Sequence, residues 1–256
     1  MKRRQLFELT DQDWCPTIVR SLVTDFIESF VATVRLHRPM EDKLSALLKK
    51  TGATRIVDLC SGSGGPLVSI QRGLRARGQN VEVVLSDKYP DASRLAEIAG
   101  RAEGVSYFTA SVDATDVPED LAGVRTLFEG LHHFEPEAAR AILQNAVDRE
   151  EPIAVFEITH RSWFGVASTF ALPLTIPLFT PLIRPFRWSR LALTYLLPVA
   201  PAAIFWDSFV SNLRSYTTDE LRDMTASLEG RPYQWDIGSE RVLAFRVTYA
   251  VGVPAD

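Results

Sequence analysis

Up to about residue 158 the chain alternates between two textures, and that alternation constrains its fold more than any other feature. Short β-branched runs, Arg55–Leu59, Val81–Ser86, Val105–Thr109, Val124–Glu129 and Ile153–Glu157, are separated by helical stretches at Pro66–Ala76, Ala92–Glu103 and Glu135–Asp148. Strand–helix–strand units of this length close as right-handed crossovers, which gives an α/β fold with a parallel sheet covered on both faces. Upstream, Thr17–Lys50 reads as two helices broken near His37–Met40, where Arg38-Pro39 interrupts the pattern. Downstream, Thr217–Leu228 is a helix whose Thr217-Thr218-Asp219-Glu220 start supplies capping hydroxyls and first-turn acids. Pro232–Gly238 and Arg241–Gly252 then read as a hairpin. No repeat or low-complexity linker interrupts this plan. The expectation is one domain over 1–256, with N-terminal helices at 17–50, a core at 54–157, an insertion at 158–206 and a C-terminal helix and hairpin at 207–256.

Composition narrows the function classes. An apolar fraction of 46% suffices for a full core, so general disorder is excluded. A net charge of −4 argues against nucleic acid as a partner. Cys15 and Cys60 are too few for a disulfide framework or a cysteine-rich zinc site, and they suit a reducing cytoplasm. Glu8, Asp11 and Asp13 interrupt any apolar run that would serve as a signal peptide, so export is not expected.

The first strand runs into a glycine-rich turn and a helix through Val57-Asp58-Leu59-Cys60-Ser61-Gly62-Ser63-Gly64-Gly65-Pro66. Glycines let backbone approach a ligand and take positive φ, and a helix N-terminus offers unpaired N–H groups. The next strand ends in an acid, Val83-Val84-Leu85-Ser86-Asp87, where a doubly wound sheet places a carboxylate for ribose hydroxyls. Loop and acid together imply an adenosine-containing cofactor. The order Asp58-x-x-x-Gly62-x-Gly64-Gly65 is not the dinucleotide pattern: an acid opening the loop repels pyrophosphate and suits a cationic amine.

This loop resembles the first motif of class I S-adenosylmethionine-dependent methyltransferases, and more narrowly a bacterial branch with a D-L-C-S-G-x-G-G-P form. The likeness continues through Leu85-Ser86-Asp87-Lys88-Tyr89-Pro90-Asp91, Val112-Asp113-Ala114-Thr115-Asp116-Val117-Pro118, Thr126-Leu127-Phe128-Glu129-Gly130-Leu131-His132-His133-Phe134 and Ala154-Val155-Phe156-Glu157. It implies a Rossmann-like three-layer sandwich whose seven-stranded sheet has one antiparallel strand, contributed by Arg241–Pro254. It implies S-adenosylmethionine as cofactor, held by Asp58, Cys60, Ser61, Gly62, Gly64, Asp87, Lys88, Tyr89, Asp113, Ala114 and Glu129. By that likeness Gly62 and Gly64 pass the methionine part and Asp87 accepts from the ribose. Tyr89 or Lys88 flanks the adenine, Asp113 with Ala114 meets its edge, and Asp58 lies near the amino end. Cys60 departs from the commonest motif, which has its first glycine there.

A sulfonium methyl is already activated, so the protein's task is alignment and, where needed, proton removal. Candidate bases at the strand ends are Glu129, His132, His133, Glu157 and His160; histidine packing against the cofactor and a carboxylate tethering the next loop are the alternatives. No metal-ligand spacing appears, so no metal is expected. The expected activity is methyl transfer to a small, apolar acceptor at oxygen, nitrogen or carbon. The alternatives are a cofactor-binding protein without methyl transfer, cyclase-like or regulatory, and a membrane-interface module.

From Ile158 to Trp206 there is no Asp or Glu, and the fixed charges are Arg161, Arg184, Arg187 and Arg190. Phe164–Ile183 is long enough to span a bilayer by count, yet Pro173, Pro177 and Pro181 oppose a continuous helix. Three readings follow: a hydrophobic cap closing over the methyl-transfer site or, in its plainer form, a segment that only completes the core; an interfacial hairpin touching the inner face of a membrane through 160–206; and a transmembrane segment. Asp207 and Arg214, beyond this segment, are expected to pair with each other or to line a substrate cleft.

Overall fold

The computed structural model describes residues 1–62, 66–100 and 102–255. The chain divides into two compact units, a helical one (1–35 and 159–216) and an α/β one (36–158 and 217–256). The boundary differs from the segment plan above. The two N-terminal helices, α1 (Thr17–Val34) and α2 (His37–Thr51), fall in different units, and the helical unit takes in residues 207–216.

The α/β unit contains a seven-stranded sheet: β1 (Arg55–Asp58), β2 (Glu82–Leu85), β3 (Val105–Tyr107), β4 (Val124–Phe128), β5 (Ile153–Glu157), β6 (Tyr233–Val242) and β7 (Phe245–Pro254). Their order is β3-β2-β1-β4-β5-β7-β6. The first five pair in parallel, and β7 runs antiparallel to both neighbours, which is the expected single reversed strand. The chain order reverses at β1, with β2 on one side and β4 on the other, so the loops leaving β1, β2 and β4 open at a topological switch point.

Alternation along each strand sorts the sheet's faces. Ile56, Val83, Leu85, Val124, Ala154 and Phe156 share a core with α2, α3 (Leu67–Ala76) and α4 (Ala92–Ala99). On the other face Arg125, wholly buried, donates to Asn145 of α5 (Pro136–Asp148) at 2.7 Å. α10 (Thr218–Ala226) packs against α5, and its start is a full capping box: Thr217 Oγ1 accepts from Glu220 N–H at 3.2 Å, and Glu220 accepts from Thr217 N–H at 2.9 Å.

Three boundaries differ from expectation for identifiable reasons. The first helix pair breaks at Arg35-Leu36, before the proline, because Pro39 lies in the first turn of α2, where a missing N–H costs nothing. α4 ends at Ala99, before Gly100 and short of Glu103. The hairpin turns at Leu243-Ala244, with Leu243 at φ 55°, and not near Gly238. Gly238 is a paired strand residue facing Tyr249. A Cβ there would lie 2.6 Å from the tyrosine hydroxyl, and Gly252 is under the Trp235 ring in the same way. These glycines make room for cross-strand aromatic rings.

The helical unit adds α6 (Trp163–Thr169), α7 (Leu172–Phe179), α8 (Trp188–Leu191), a π-turn at Ala192–Leu196 and α9 (Val199–Arg214). Prolines set its breaks: Pro173 and Pro201 lie in first turns, Pro181 starts a 3₁₀ turn, and Pro198 caps α9. No described helix is long and apolar enough to cross a membrane. Two bent pairs reach the length and composition together, Trp163–Thr169 with Leu172–Leu182 at 55° and Trp188–Leu196 with Val199–Arg214 at 81°. Leu22, Val23, Phe26, Ile176, Ile183 and Ile204 form the unit's core. Asp207 and Arg214 do not pair with each other. Asp207 accepts from Leu9 N–H (2.7 Å) and from Thr10 N–H and hydroxyl (3.1 and 2.9 Å), while Arg214 binds Glu8 and Asp11 at 3.3 and 2.7 Å.

Candidate active site

The carboxyl ends of β1 and β2 are stitched by short polar contacts. Ser61 N–H donates to Ser86 C=O and Ser86 N–H to Asp58 C=O, both at 2.9 Å. The Ser86 hydroxyl donates to that same Asp58 carbonyl at 2.8 Å. Asp58 itself is buried, with one carboxylate oxygen on Ser61 Oγ (2.8 Å) and the other on Thr126 Oγ1 of β4 (2.7 Å). Burial lifts its carboxyl to about 7 against the two hydroxyls, which pull the other way. Asp58 therefore works beneath the loop, fixing three strand ends.

Cys60 takes φ 58° and Gly62 φ 48°. A left-handed residue at 60 explains why glycine is the commoner occupant of that position, and this chain carries the strain with a cysteine. Burial and the nearby Asp87 and Asp58 charges push its thiol well above the ordinary range, so it is not a ready nucleophile. Gly64 lies outside the described residues.

Asp87 joins the two loops. One oxygen accepts from Gly62 N–H and the other from Tyr89 N–H, each at 2.9 Å. Among the described residues, a Cβ at Gly62 would find Cys60 O at 4.0 Å and nothing nearer. Tyr89 is 81% exposed beside it. Lys88 Nζ binds Asp113 Oδ2 at 2.7 Å, and Asp113 Oδ1 accepts from Thr115 N–H and hydroxyl at 2.9 and 2.6 Å. Those bonds, the lysine's foremost, hold the Asp113 carboxyl down at about 2. Ala114 is buried behind it. The backbone closes the rim, with Val112 N–H on Asp87 C=O at 2.9 Å and Ser111 Oγ on Lys88 C=O at 2.6 Å. An anionic, hydrogen-bonding crevice with one exposed ring suits a cationic nucleoside, and the residues present fit such a group.

The far wall comes from β4 and β5. Glu129, at φ 52°, turns its carboxylate onto Ile158 N–H. Glu157 receives Leu131 and His132 N–H on one oxygen (2.8 and 3.2 Å), and its other oxygen lies 2.5 Å from His132 Nδ1. That contact ties the buried imidazole of His132 to the end of β5. His133 stacks near His132, ring centroids 4.3 Å apart. Glu157 thus performs the loop-tethering role and orients His132 as well. No spacing in the sequence announces a ligand cluster, yet donor atoms of Glu129, His132 and Glu157 come within 4.8 Å of one another.

No family model matches the chain, and no curated protein matches it. Solved structures do. The chain is similar to the citrinin polyketide synthase CMeT domain (12% identity, TM-score 0.57, covering 96% of this chain and 59% of that one). It is also similar to the plantazolicin methyltransferase BpumL in complex with SAH (10%, 0.53, 96% and 93%). A third is a putative O-methyltransferase from Nostoc punctiforme (17%, 0.52, 98% and 64%). The chain spans about three fifths of the length of the first and third of these. At such identities the likeness is one of architecture: the chain has the Rossmann-like fold that these methyltransferases share.

Proposed function

We propose that the chain binds S-adenosylmethionine in the crevice between the β1 and β2 loops and transfers its methyl group to a small, lipophilic acceptor at oxygen, nitrogen or carbon. The observation that carries this is Asp87, whose carboxylate spans the Gly62 and Tyr89 amides at the switch point. The D-L-C-S-G-x-G-G-P loop supports a place in the bacterial branch with that motif, and two unpaired cysteines agree with a cytoplasmic setting.

Each residue then has a task. Gly62 and the loop backbone receive the methionine part, Asp87 the ribose hydroxyls, and Tyr89 with Lys88 the adenine face. Asp113 and the Ala114 backbone take the adenine edge. The cofactor supplies a methyl carbon that passes to the acceptor as its C–S bond breaks, with the bonding electrons returning to sulfur. Where the acceptor atom carries a proton, the paired His132 and Glu157 are the groups that take it up. The acid-free apolar composition of 158–206 supports a lipophilic acceptor.

Calorimetric titration with S-adenosylmethionine and with S-adenosylhomocysteine tests the reading. Both bind and raise the Tm, and Asp87→Ala weakens both at least about tenfold, the scale of one charge-assisted hydrogen bond. An unchanged affinity in Asp87→Ala, or a Tm raised by NAD and by neither of these, refutes it.

A further inference from the structure

The helical unit inverts the usual partition of a water-facing protein. Several of its charged side chains point inward and are paired: Arg190 meets Asp25 at 2.5 Å, and Arg214 meets Glu8 and Asp11, with Arg190 and Arg214 each under 5% exposed. Large apolar side chains point outward. Of nineteen exposed large hydrophobics among the described residues, seventeen belong to this unit. Leu174, Leu178 and Leu182 project from one side of α7 and its 3₁₀ continuation, four residues apart, while Ile176 and Thr180 are buried between them. The Tyr195 hydroxyl donates to Pro177 C=O at 2.5 Å, which sets the 80%-exposed Leu196 and its neighbour Leu197 beside that row. Trp163 and Trp188 are 82% and 78% exposed. So much open apolar surface exceeds what a monomer facing only water carries.

Charge names the occupant. The helical unit has ten Lys and Arg against six Asp and Glu, a net +4 in a chain of −4, which leaves −8 on the α/β unit. Within 158–206 the surface charges are Arg184, exposed, and Arg187, 39% exposed and 3.7 Å from Asp25. We infer that this face is a peripheral docking surface for an anionic lipid bilayer. The leucine row and the two bent helix pairs enter the headgroup–acyl boundary, the tryptophans lie at its level, and the arginines meet lipid phosphates and carboxylates. A second copy of the chain fits less well. A two-fold contact would bring arginines together across an apolar seam that holds no acid.

Vesicle flotation of the full chain decides, and it needs no cofactor, so its result stands apart from the methyl-transfer reading. With vesicles of phosphatidylcholine and about one third phosphatidylserine the protein floats. With phosphatidylcholine alone, or near 1 M salt where the Debye length is about 3 Å, binding falls at least about tenfold. Arg184→Glu with Arg187→Gln abolishes the preference for anionic vesicles. Leu178→Glu and Trp188→Glu each reduce binding to both kinds while leaving the Tm within a few degrees, because these side chains are exposed. Protein left at the bottom with both vesicles overturns the proposal. So does flotation that Leu178→Glu leaves untouched, or a lipid-free dimer by light scattering that Leu178→Glu dissociates.

Discussion

The two units solve opposite problems with the same amino acids. In the α/β unit, polar side chains gather where strands end and apolar ones fill alternating sheet positions, leaving Tyr89 and Leu243 as its exposed large hydrophobics among the described residues. In the helical unit, ion pairs occupy the interior and leucines and tryptophans the outside. The contrast shows two ways of handling burial. At the rim of the sheet the Lys88–Asp113 pair is part-exposed and screened. The helices bury charge and rely on close pairing to offset desolvation.

The sharpest way to break that contrast is to remove one half of the buried pair. Asp25→Ala leaves Arg190 with the Ile183 and Pro185 carbonyls at 3.2 and 3.0 Å and no counter-charge. A loss of about 3–5 kcal/mol is expected, read by urea unfolding followed at the tryptophans. Replacing both partners by apolar groups, Asp25→Leu with Arg190→Met, should recover most of it, since an uncharged interior has nothing left unpaired. A single variant as stable as wild type would mean that water, and not Asp25, already solvates Arg190.

A smaller effect tests the α/β side, where one acid is buried without a cation. Asp58 has an ordinary carboxyl value near 3.8 in the unfolded chain and one raised to about 7 in the fold. Between those values the folded state holds a proton that the unfolded chain has released. Its contribution is therefore fully present below about pH 4 and is lost as pH rises through 7, by at most about 4 kcal/mol. Asp113 has the opposite sign: held near 2, it contributes above pH 4 and loses that contribution as pH falls towards 2. The Tm difference between wild type and Asp58→Asn, followed from pH 4 to 8, isolates the first effect. Wild type should lose ground to the variant across that window, and a constant difference would show Asp58 ionised throughout.

How much of each unit was legible follows from the same division. β5 was readable to the residue, and β1, β2 and β4 to within one or two residues at each end, because each is a short β-branched run that ends in a small or acidic residue. The glycine turn and Asp87, twenty-five residues from Gly62, were readable because the crossover fixes where the second strand ends. The His132–Glu157 contact was not, since both residues were visible as strand-end candidates but their 2.5 Å approach depends on β4–β5 register. In the helical unit, Asp207 reaches Leu9 across 198 positions and Arg190 reaches Asp25 across 165. No periodicity encodes such pairs. Even the hairpin misled where it was most local: Gly238 carries the composition of a turn and the job of seating a ring.

The smallest effect lies at Cys60, where the family likeness and the backbone make the same demand. At φ 58° a side chain costs about 1 kcal/mol or more relative to glycine in the folded state. Glycine returns part of that through the entropy of the unfolded chain and through the lost thiol contacts. Cys60→Gly should therefore match wild type or exceed it by under about 1 kcal/mol, a Tm gain of roughly 2–4 °C at most for a chain of this size. Cys60→Ala keeps the left-handed penalty and loses the sulfur, so it should fall below wild type and about 1 kcal/mol below the glycine variant. The Gly-over-Ala order is the decisive reading, because both variants remove the same thiol. An alanine as stable as glycine would mean that the loop relaxes out of the left-handed region, and then the stitched strand ends do not hold the turn as the Asp58, Ser61 and Ser86 contacts indicate.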